Sequence, residues 1–158
     1  MITILIIRHG IAEDGFGPDA DRALTAQGWE RTRAAMKGLL KRGYAPTQGI
    51  SSPYRRAAET LVCLREAAQE AFPVGYWDGL RPGGSPAKAE DWLRAQIAEL
   101  APGDVLALIS HQPFLGEFIH RLTRRHIEVK KASCTVIHWN GQDFEYAGHF
   151  APAELRGE

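Results

Sequence analysis

The stretch Ile2-Thr3-Ile4-Leu5-Ile6-Ile7-Arg8-His9-Gly10 opens the chain with a nearly continuous apolar run that ends abruptly in charge. β-branched residues dominate this run, and the absence of polar alternation is typical of a strand covered on both faces. Such strands belong to parallel sheets with helices on both sides. The run is far shorter than a bilayer span and no basic segment precedes it, so we expect a cytoplasmic protein without a membrane partner.

The composition of the chain is that of a globular protein without an overall electrostatic field. The 158 residues predict a single domain over 1–158, and 19 basic residues balance 19 acidic ones. A neutral chain does not favour a nucleic-acid partner or an anionic membrane, so any positive charge used for binding must be local. Cys63 and Cys134 are the only cysteines. They form no disulfide framework and fit a reducing compartment.

Outward from the first strand, helices and strands alternate along the sequence. The first predicted helix begins at Thr25, which offers a hydroxyl cap, and stops at Gly43. Further helices are predicted over 54–70, 87–100 and 113–123, and further strands over 48–51, 74–77, 105–109, 133–139 and 144–150. Asn140-Gly141 predicts a tight hairpin between the last two strands.

This order of elements predicts an α/β fold. Strands separated by helices of ten or more residues form a mostly parallel central sheet between two helical layers, a three-layer α/β/α sandwich. The terminal hairpin adds an antiparallel edge. Functional crevices in such folds lie beyond the carboxyl ends of the parallel strands.

Three polar clusters follow the ends of predicted parallel strands. They are Arg8-His9-Gly10, the segment 51–57 (Ser-Ser-Pro-Tyr-Arg-Arg-Ala), and Ser110-His111-Gln112-Pro113. In a parallel sheet all three lie at one edge, so two histidines and several arginines converge there. Each cluster alone also has a structural interpretation: His9 as a hydrogen-bonded core histidine, for example, or His111 as a helix cap.

The converging residue types suit phosphoryl transfer. Arginine stays charged and its planar fork matches phosphate oxygens. A neutral imidazole can attack phosphorus and form a covalent intermediate, which divides one difficult hydrolysis into two easier steps. The remaining requirement is positioning and charge stabilisation, which arginines, a second imidazole and backbone donors supply. This chemistry calls for no metal and no cofactor.

The clusters together resemble the histidine phosphatase superfamily, also called phosphoglycerate mutase-like. The matching motifs are Arg8-His9-Gly10, Leu24-Thr25-x-x-Gly28, Ser52-Pro53-x-x-Arg56-Ala57-x-x-Thr60 and Ser110-His111-x-Pro113. The chain is most similar to the small SixA-type phosphohistidine phosphatases. The resemblance implies that fold, His9 as the nucleophile, His111 as the second catalytic histidine, and Arg8 and Arg56 as catalytic phosphate-binding arginines. It further implies Arg22 and Gln112 as substrate-binding residues.

A dedicated general acid is hard to place in this sequence. Larger relatives carry one on an insertion after the third strand, where this chain has only the short loop 78–84. Asp78 and Glu13 are the candidates. A phosphohistidine leaving group titrates near neutrality, because unperturbed imidazole has a pKa of about 6.5, so it needs a dedicated acid less than an alkyl phosphate does. The short loop also predicts an open groove that accepts a protein surface.

The sequence therefore predicts a metal-independent phosphatase that acts on phosphohistidine in proteins through His9, and we expect it to be a monomer. One alternative is a small-molecule phosphomonoesterase of the same superfamily. Another is a non-catalytic module that binds a phosphorylated partner. A mutase is disfavoured, since retaining the phosphoryl group calls for a closed pocket. The basic run 121–131 predicts either a solvated surface or an acidic partner.

Overall fold

The computed structural model describes residues 1–158 and contains one six-stranded sheet in the order β3-β2-β4-β1-β5-β6. The strands are β1 Ile2–Arg8, β2 Gln48–Ser51, β3 Val74–Tyr76, β4 Val105–Ser110, β5 Cys134–Trp139 and β6 Phe144–Phe150. The helices are α1 Ala26–Lys41, α2 Arg55–Ala67, α3 Pro86–Ala98, α4 Phe114–Thr123 and α5 Pro152–Leu155.

The sheet is parallel in its centre and antiparallel at one side. β1 pairs with β4, β4 with β2, and β2 with β3, all in parallel. β5 runs antiparallel to the other side of β1, and β6 completes the hairpin. The prediction of a mostly parallel sheet with an antiparallel C-terminal edge is confirmed.

Two apolar clusters, one on each face of the sheet, form the core. Alternate residues of β1 divide between them: Ile4 and Ile6 face α3 and α4, whereas Leu5 and Ile7 face α1 and α2. All four are fully buried. A central strand covered on both faces needs apolar residues at every position, which explains why its sequence lacks alternation.

The structure differs from the predicted elements at one helix end and in three short elements. α2 ends at Ala67 rather than at residue 70, because the chain turns extended at Ala68 and Phe72 packs back into the core. Short 3-10 turns, Asp19–Asp21 and Asp78–Leu80, lie within predicted loops. The four-residue α5 is too short to show helical periodicity in sequence.

The strand register brings the three polar clusters to one edge. Arg8 at the end of β1 pairs with Ser110 at the end of β4, and Ser51 at the end of β2 pairs with Ile109. The predicted convergence is confirmed. No helix of this fold has the length and apolar character that crossing a bilayer requires.

Candidate active site

His9 lies just beyond β1 with its ring held in one tautomer. Its backbone N–H donates to the carbonyl of Ser110, which fixes the residue beside β4. Its Nδ1 lies 2.7 Å from the carbonyl oxygen of Gly10. A carbonyl only accepts, so Nδ1 carries the proton and Nε2 presents a lone pair. The Nε of Arg56 approaches that Nε2 at 3.4 Å, consistent with a weak donor to an unprotonated nitrogen.

His111 lies across the site from His9, at the end of β4. The two ring centroids are 5.0 Å apart and the rings are tilted by 53°. Nε2 of His111 is 2.8 Å from the hydroxyl of Ser52, which also accepts the backbone N–H of Tyr54. The Nδ1 atom of His111 is buried and has no partner in the protein. Of the two ring nitrogens of His111, only Nε2 is therefore tied to the protein.

Both histidines are held neutral. Burial lowers the pKa of His9 to about 3, and the positive charges of Arg56 and Arg8 act in the same direction. Burial likewise lowers the pKa of His111 to about 3, with further contributions from His9 and Arg56. A neutral imidazole with an unprotonated Nε2 is the nucleophilic form, so the site keeps His9 ready to attack an electrophile.

Arg56 is a buried cation at the start of α2. Only 5% of the residue is exposed, and its guanidinium lies over the ring of Tyr54 at 5.3 Å. Its Nη1 donates to the carbonyl of Asp19 at 2.9 Å, and its Nη2 pairs with the Asp19 carboxylate at 3.1 Å. The carboxylate that pairs with Arg56 thus comes from Asp19, in the segment that precedes α1.

Arg8 points its guanidinium along the same edge. Its Nη1 donates to the carbonyl of Val129 at 2.9 Å, and its buried Nε has no partner. Burial lowers the pKa of Arg8, and the nearby positive charge of Arg56 lowers it further. Because an arginine remains protonated even after such a shift, Arg8 and Arg56 add two positive charges beside His9.

The remaining motif residues support the His9 loop. The backbone N–H of Gly10 donates to the hydroxyl of Thr60 at 3.0 Å, which ties the loop to α2. Thr25 caps α1 by accepting the N–H of Gly28. A Cβ at Gly28 would come 2.1 Å from the carbonyl oxygen of Ile11, so only glycine permits α1 to pack this closely on the loop.

Arg22 and Gln112 are both engaged within the protein. Arg22 donates from Nε to the carbonyl of Glu13 at 2.6 Å and from Nη1 to the carboxylate of Asp19 at 3.0 Å. It therefore braces the loop at the mouth of the site. Gln112 accepts the N–H of Gly116 in the first turn of α4 at 2.7 Å. A substrate contact for either residue stays a prediction.

The structure does not bring the two candidate acids to the histidines. Asp78 is exposed on the turn after β3, and Glu13 is exposed in the loop after His9; neither side chain forms a hydrogen bond or ion pair. Asp19 is the carboxylate that reaches the site instead, and it belongs to none of the sequence motifs. Its position three residues before Arg22 was the available signal, since that spacing lets the two side chains pair.

The site combines a neutral, oriented imidazole, a second buried imidazole, the buried Arg56 and the half-buried Arg8 at the carboxyl edge of a parallel sheet. No three His, Cys, Asp or Glu side chains come together as a potential metal-ligand set. This defines an α/β protein whose site can hold an anion next to a histidine with a free ring nitrogen.

Comparisons with known proteins place the chain in a family. The sequence profile described as histidine phosphatase superfamily (branch 1) matches residues 4–82. An uncharacterized protein from Picosynechococcus sp. is 35% identical over 137 residues, which cover 83% of this chain and 81% of that protein. The chain belongs to the histidine phosphatase superfamily, and its predicted membership is confirmed.

Solved structures share the fold at low sequence identity. The protein histidine phosphatase SixA, complexed with tungstate, matches 97% of this chain and 99% of its own with a TM-score of 0.88 and 21% identity. A histidine-to-alanine variant of a phosphoserine phosphatase from Entamoeba histolytica, bound to phosphoserine, matches 98% of this chain and 100% of its own with a TM-score of 0.74 and 15% identity. The same fold thus serves proteins named for different phosphorylated substrates.

Proposed function

We propose that this chain is a metal-independent phosphatase that removes the phosphoryl group from phosphohistidine in proteins through an intermediate on His9. Its membership of the superfamily supports phosphatase activity. The observation that carries the proposed mechanism is the hydrogen bond from Nδ1 of His9 to the Gly10 carbonyl, because it leaves Nε2 unprotonated beside Arg56 and His111.

In the first step, the Nε2 lone pair of His9 attacks phosphorus. The bond between phosphorus and the nitrogen of the substrate imidazole breaks, and that imidazole leaves as a neutral ring once its other nitrogen is protonated. Arg56 and Arg8 stabilise the charge on the transferring oxygens. His111 contributes a second neutral imidazole close to His9.

In the second step, water attacks phosphorus on the face opposite Nε2 of His9. The phosphorus–nitrogen bond breaks, its electron pair returns to Nε2, and the phosphate carries one proton of the water while the other passes to solvent. Because Nδ1 keeps its proton throughout, the hydrogen bond to Gly10 holds the ring in place between the two steps.

The preference for phosphohistidine rests on the absence of a protonated carboxyl group beside the two histidines. Hydrogen bonding to Arg22 lowers the pKa of Asp19, and pairing with Arg56 adds to this effect, so Asp19 is ionised at neutral pH. A carboxylate cannot donate a proton to an alkoxide leaving group. An imidazole leaving group tolerates this site better than a serine or sugar alkoxide does.

The test compares two substrates in the presence of a chelator: a phosphohistidine-bearing protein and a stable aryl phosphate. Wild type is expected to dephosphorylate the phosphoprotein and to accumulate acid-labile phosphate on His9, which mass spectrometry under alkaline conditions detects. His9→Gln should lose roughly a thousandfold or more in turnover while still binding orthophosphate. His120→Gln, a histidine on α4 outside the site, is the matched control.

Each other result points to a different function. Turnover of the aryl phosphate alone, with the label on His9, would retain the mechanism and make the chain a small-molecule phosphomonoesterase. Phosphate binding without label or turnover would make it a binding module. Unchanged turnover in His9→Gln would refute the proposed nucleophile.

A further inference from the structure

A second cationic cavity lies on the same edge of the sheet as the histidine pair but does not include it. It has a volume of about 380 Å³, and five of its nine lining residues are arginine or lysine. We call it the basic pocket and define it by Arg8, Arg31, Lys130, Lys131 and Arg156. No acidic residue lines it, and neither His9 nor His111 nor Arg56 belongs to it.

The cations of the basic pocket converge from separate parts of the chain. Arg31 comes from the middle of α1, Lys130 and Lys131 from the connection between α4 and β5, and Arg156 from the residue after α5. Among the five, only Arg156 has an acidic partner, Glu158. In a chain with 19 acidic residues and no net charge, this concentration of unpaired cations is a local feature of the fold rather than of the composition.

Six of the nine lining residues carry a charged or polar side chain. Only two of the nine lining residues are hydrophobic. Thr32, another lining residue, is fully buried, and its hydroxyl has no hydrogen-bond partner in the protein. The cations and this hydroxyl therefore offer charge-assisted and neutral hydrogen bonds to an anionic ligand.

We propose that the basic pocket binds the oligophosphate group of a small molecule, as a site that adjoins the histidine pair and shares only Arg8 with the proposed catalytic residues. The cavity volume falls within the range of small-ligand pockets, which span about 300–1,000 Å³. One orthophosphate dianion leaves most of the five cations unbalanced. A chain of two or three phosphates supplies the matching charge.

The pocket is connected to the catalytic loop through Ala132, which lines it. The backbone N–H of Ala132 donates to the carbonyls of both Arg8 and His9, at 2.9 and 3.2 Å. Ala132 holds a left-handed conformation with φ of 60°, and Lys131 lies close enough to His9 to lower its pKa. An anion bound to Lys130 and Lys131 thus acts on the segment that positions His9.

Isothermal titration calorimetry with inorganic triphosphate tests the proposal. Saturating tungstate, a phosphate mimic, is present throughout to fill the histidine site. We expect one triphosphate to bind per chain, with orthophosphate at least about tenfold weaker. The double variant Arg31→Gln with Lys130→Gln should weaken triphosphate binding by about tenfold or more, with phosphatase activity and tungstate binding unchanged.

The matched control is Lys37→Gln with Lys41→Gln, which removes the same charge from the far part of α1. It should change triphosphate binding by less than about threefold, because screening at physiological salt limits long-range effects. Equal weakening in both double variants would overturn the proposal, since it indicates a general charge effect. Triphosphate binding that is seen without tungstate but lost in its presence would overturn the proposal and assign binding to the histidine site. Tighter binding of a hexa-aspartate peptide than of triphosphate would make the pocket an acidic-peptide site.

Discussion

Replacing Asp19 by asparagine should strengthen the binding of phosphate-like anions at the histidine site. The carboxylate of Asp19 pairs with Nη2 of Arg56, and Arg56 is the buried cation nearest to His9. A substrate phosphate that binds Arg56 must therefore share this cation with Asp19 or displace it. Asparagine removes the negative charge but keeps an oxygen that accepts from the guanidinium.

The magnitude follows from the exposure of the pair. The side chain of Arg56 is 6% exposed and that of Asp19 is 52% exposed, so the ion pair is partly screened by solvent. Solvent-exposed pairs contribute about 0.2–1 kcal/mol, and one buried member favours the upper end, about 1 kcal/mol. If the bound anion no longer competes with that interaction, its affinity should rise by about fivefold. Arg56 keeps its orientation, because the Asp19 carbonyl and the ring of Tyr54 still hold it.

The assay is the competitive inhibition constant of orthophosphate and of tungstate, measured from pH 6 to pH 8. Because Arg22 and Arg56 lower the pKa of Asp19, the carboxylate stays ionised over this range and the gain should not depend on pH. Asp21→Asn is the matched control: this carboxylate lies on the same 3-10 turn, is exposed and makes no ion pair. Weaker inhibition in Asp19→Asn than in Asp21→Asn would refute the reasoning and make Asp19 a residue that positions Arg56.

Two further substitutions and a change of pH test how the residues around the site contribute to the stability of the fold. Thr60→Val leaves the buried N–H of Gly10 without its acceptor, so the free energy of unfolding in urea should fall by about 1–3 kcal/mol. Gly28→Ala places a Cβ 2.1 Å from the carbonyl oxygen of Ile11, so the thermal midpoint of unfolding should drop by several degrees or more. Gly75→Ala is the control, because no atom lies within 4 Å of the Cβ added there. Folding lowers the pKa of the two site histidines from 6.5 to about 3, so the unfolded chain binds more protons than the folded chain between these pH values. The free energy of unfolding should therefore be highest above pH 6.5 and fall by up to about 1.4 kcal/mol per pH unit for each histidine as the pH drops. Urea midpoints that stay constant from pH 6.5 to pH 5 would contradict this prediction.

The sheet and the histidine pair were predictable from local sequence because each rests on a short-range signal. The apolar run of β1 is buried on both faces, and Arg8-His9-Gly10 follows it directly. Parallel pairing then forces the ends of β1, β2 and β4 to one edge, so the convergence of His9 and His111 needs no knowledge of side-chain packing. The motif residue Thr60 was visible in sequence, but its bond to Gly10 was not.

The contacts of the mouth and of the basic pocket depend on tertiary packing. Asp19 and Arg56 are 37 residues apart, and no periodicity or spacing rule relates them. Arg31 and Arg156 come together only because the short α5 packs on α1, where a Cβ at Gly38 would come 1.7 Å from the carbonyl oxygen of Leu155. The sequence around a charged residue in an irregular segment does not indicate which distant residue it will contact in the fold.

The position of Asp19 bears on which substrates the proposed function would favour. A carboxylate paired with Arg22 and Arg56 is held in its ionised form, so it opposes the binding of anions and supplies no proton. A substrate must therefore bring its own good leaving group, and it must bind well enough through other contacts to displace Asp19 from Arg56. A phosphohistidine on a folded protein meets both conditions: its imidazole leaves near neutral pH, and the protein around it provides contacts outside the phosphate. Small alkyl phosphates meet neither condition, so under the proposed function the ion pair between Asp19 and Arg56 contributes to selectivity together with the histidines.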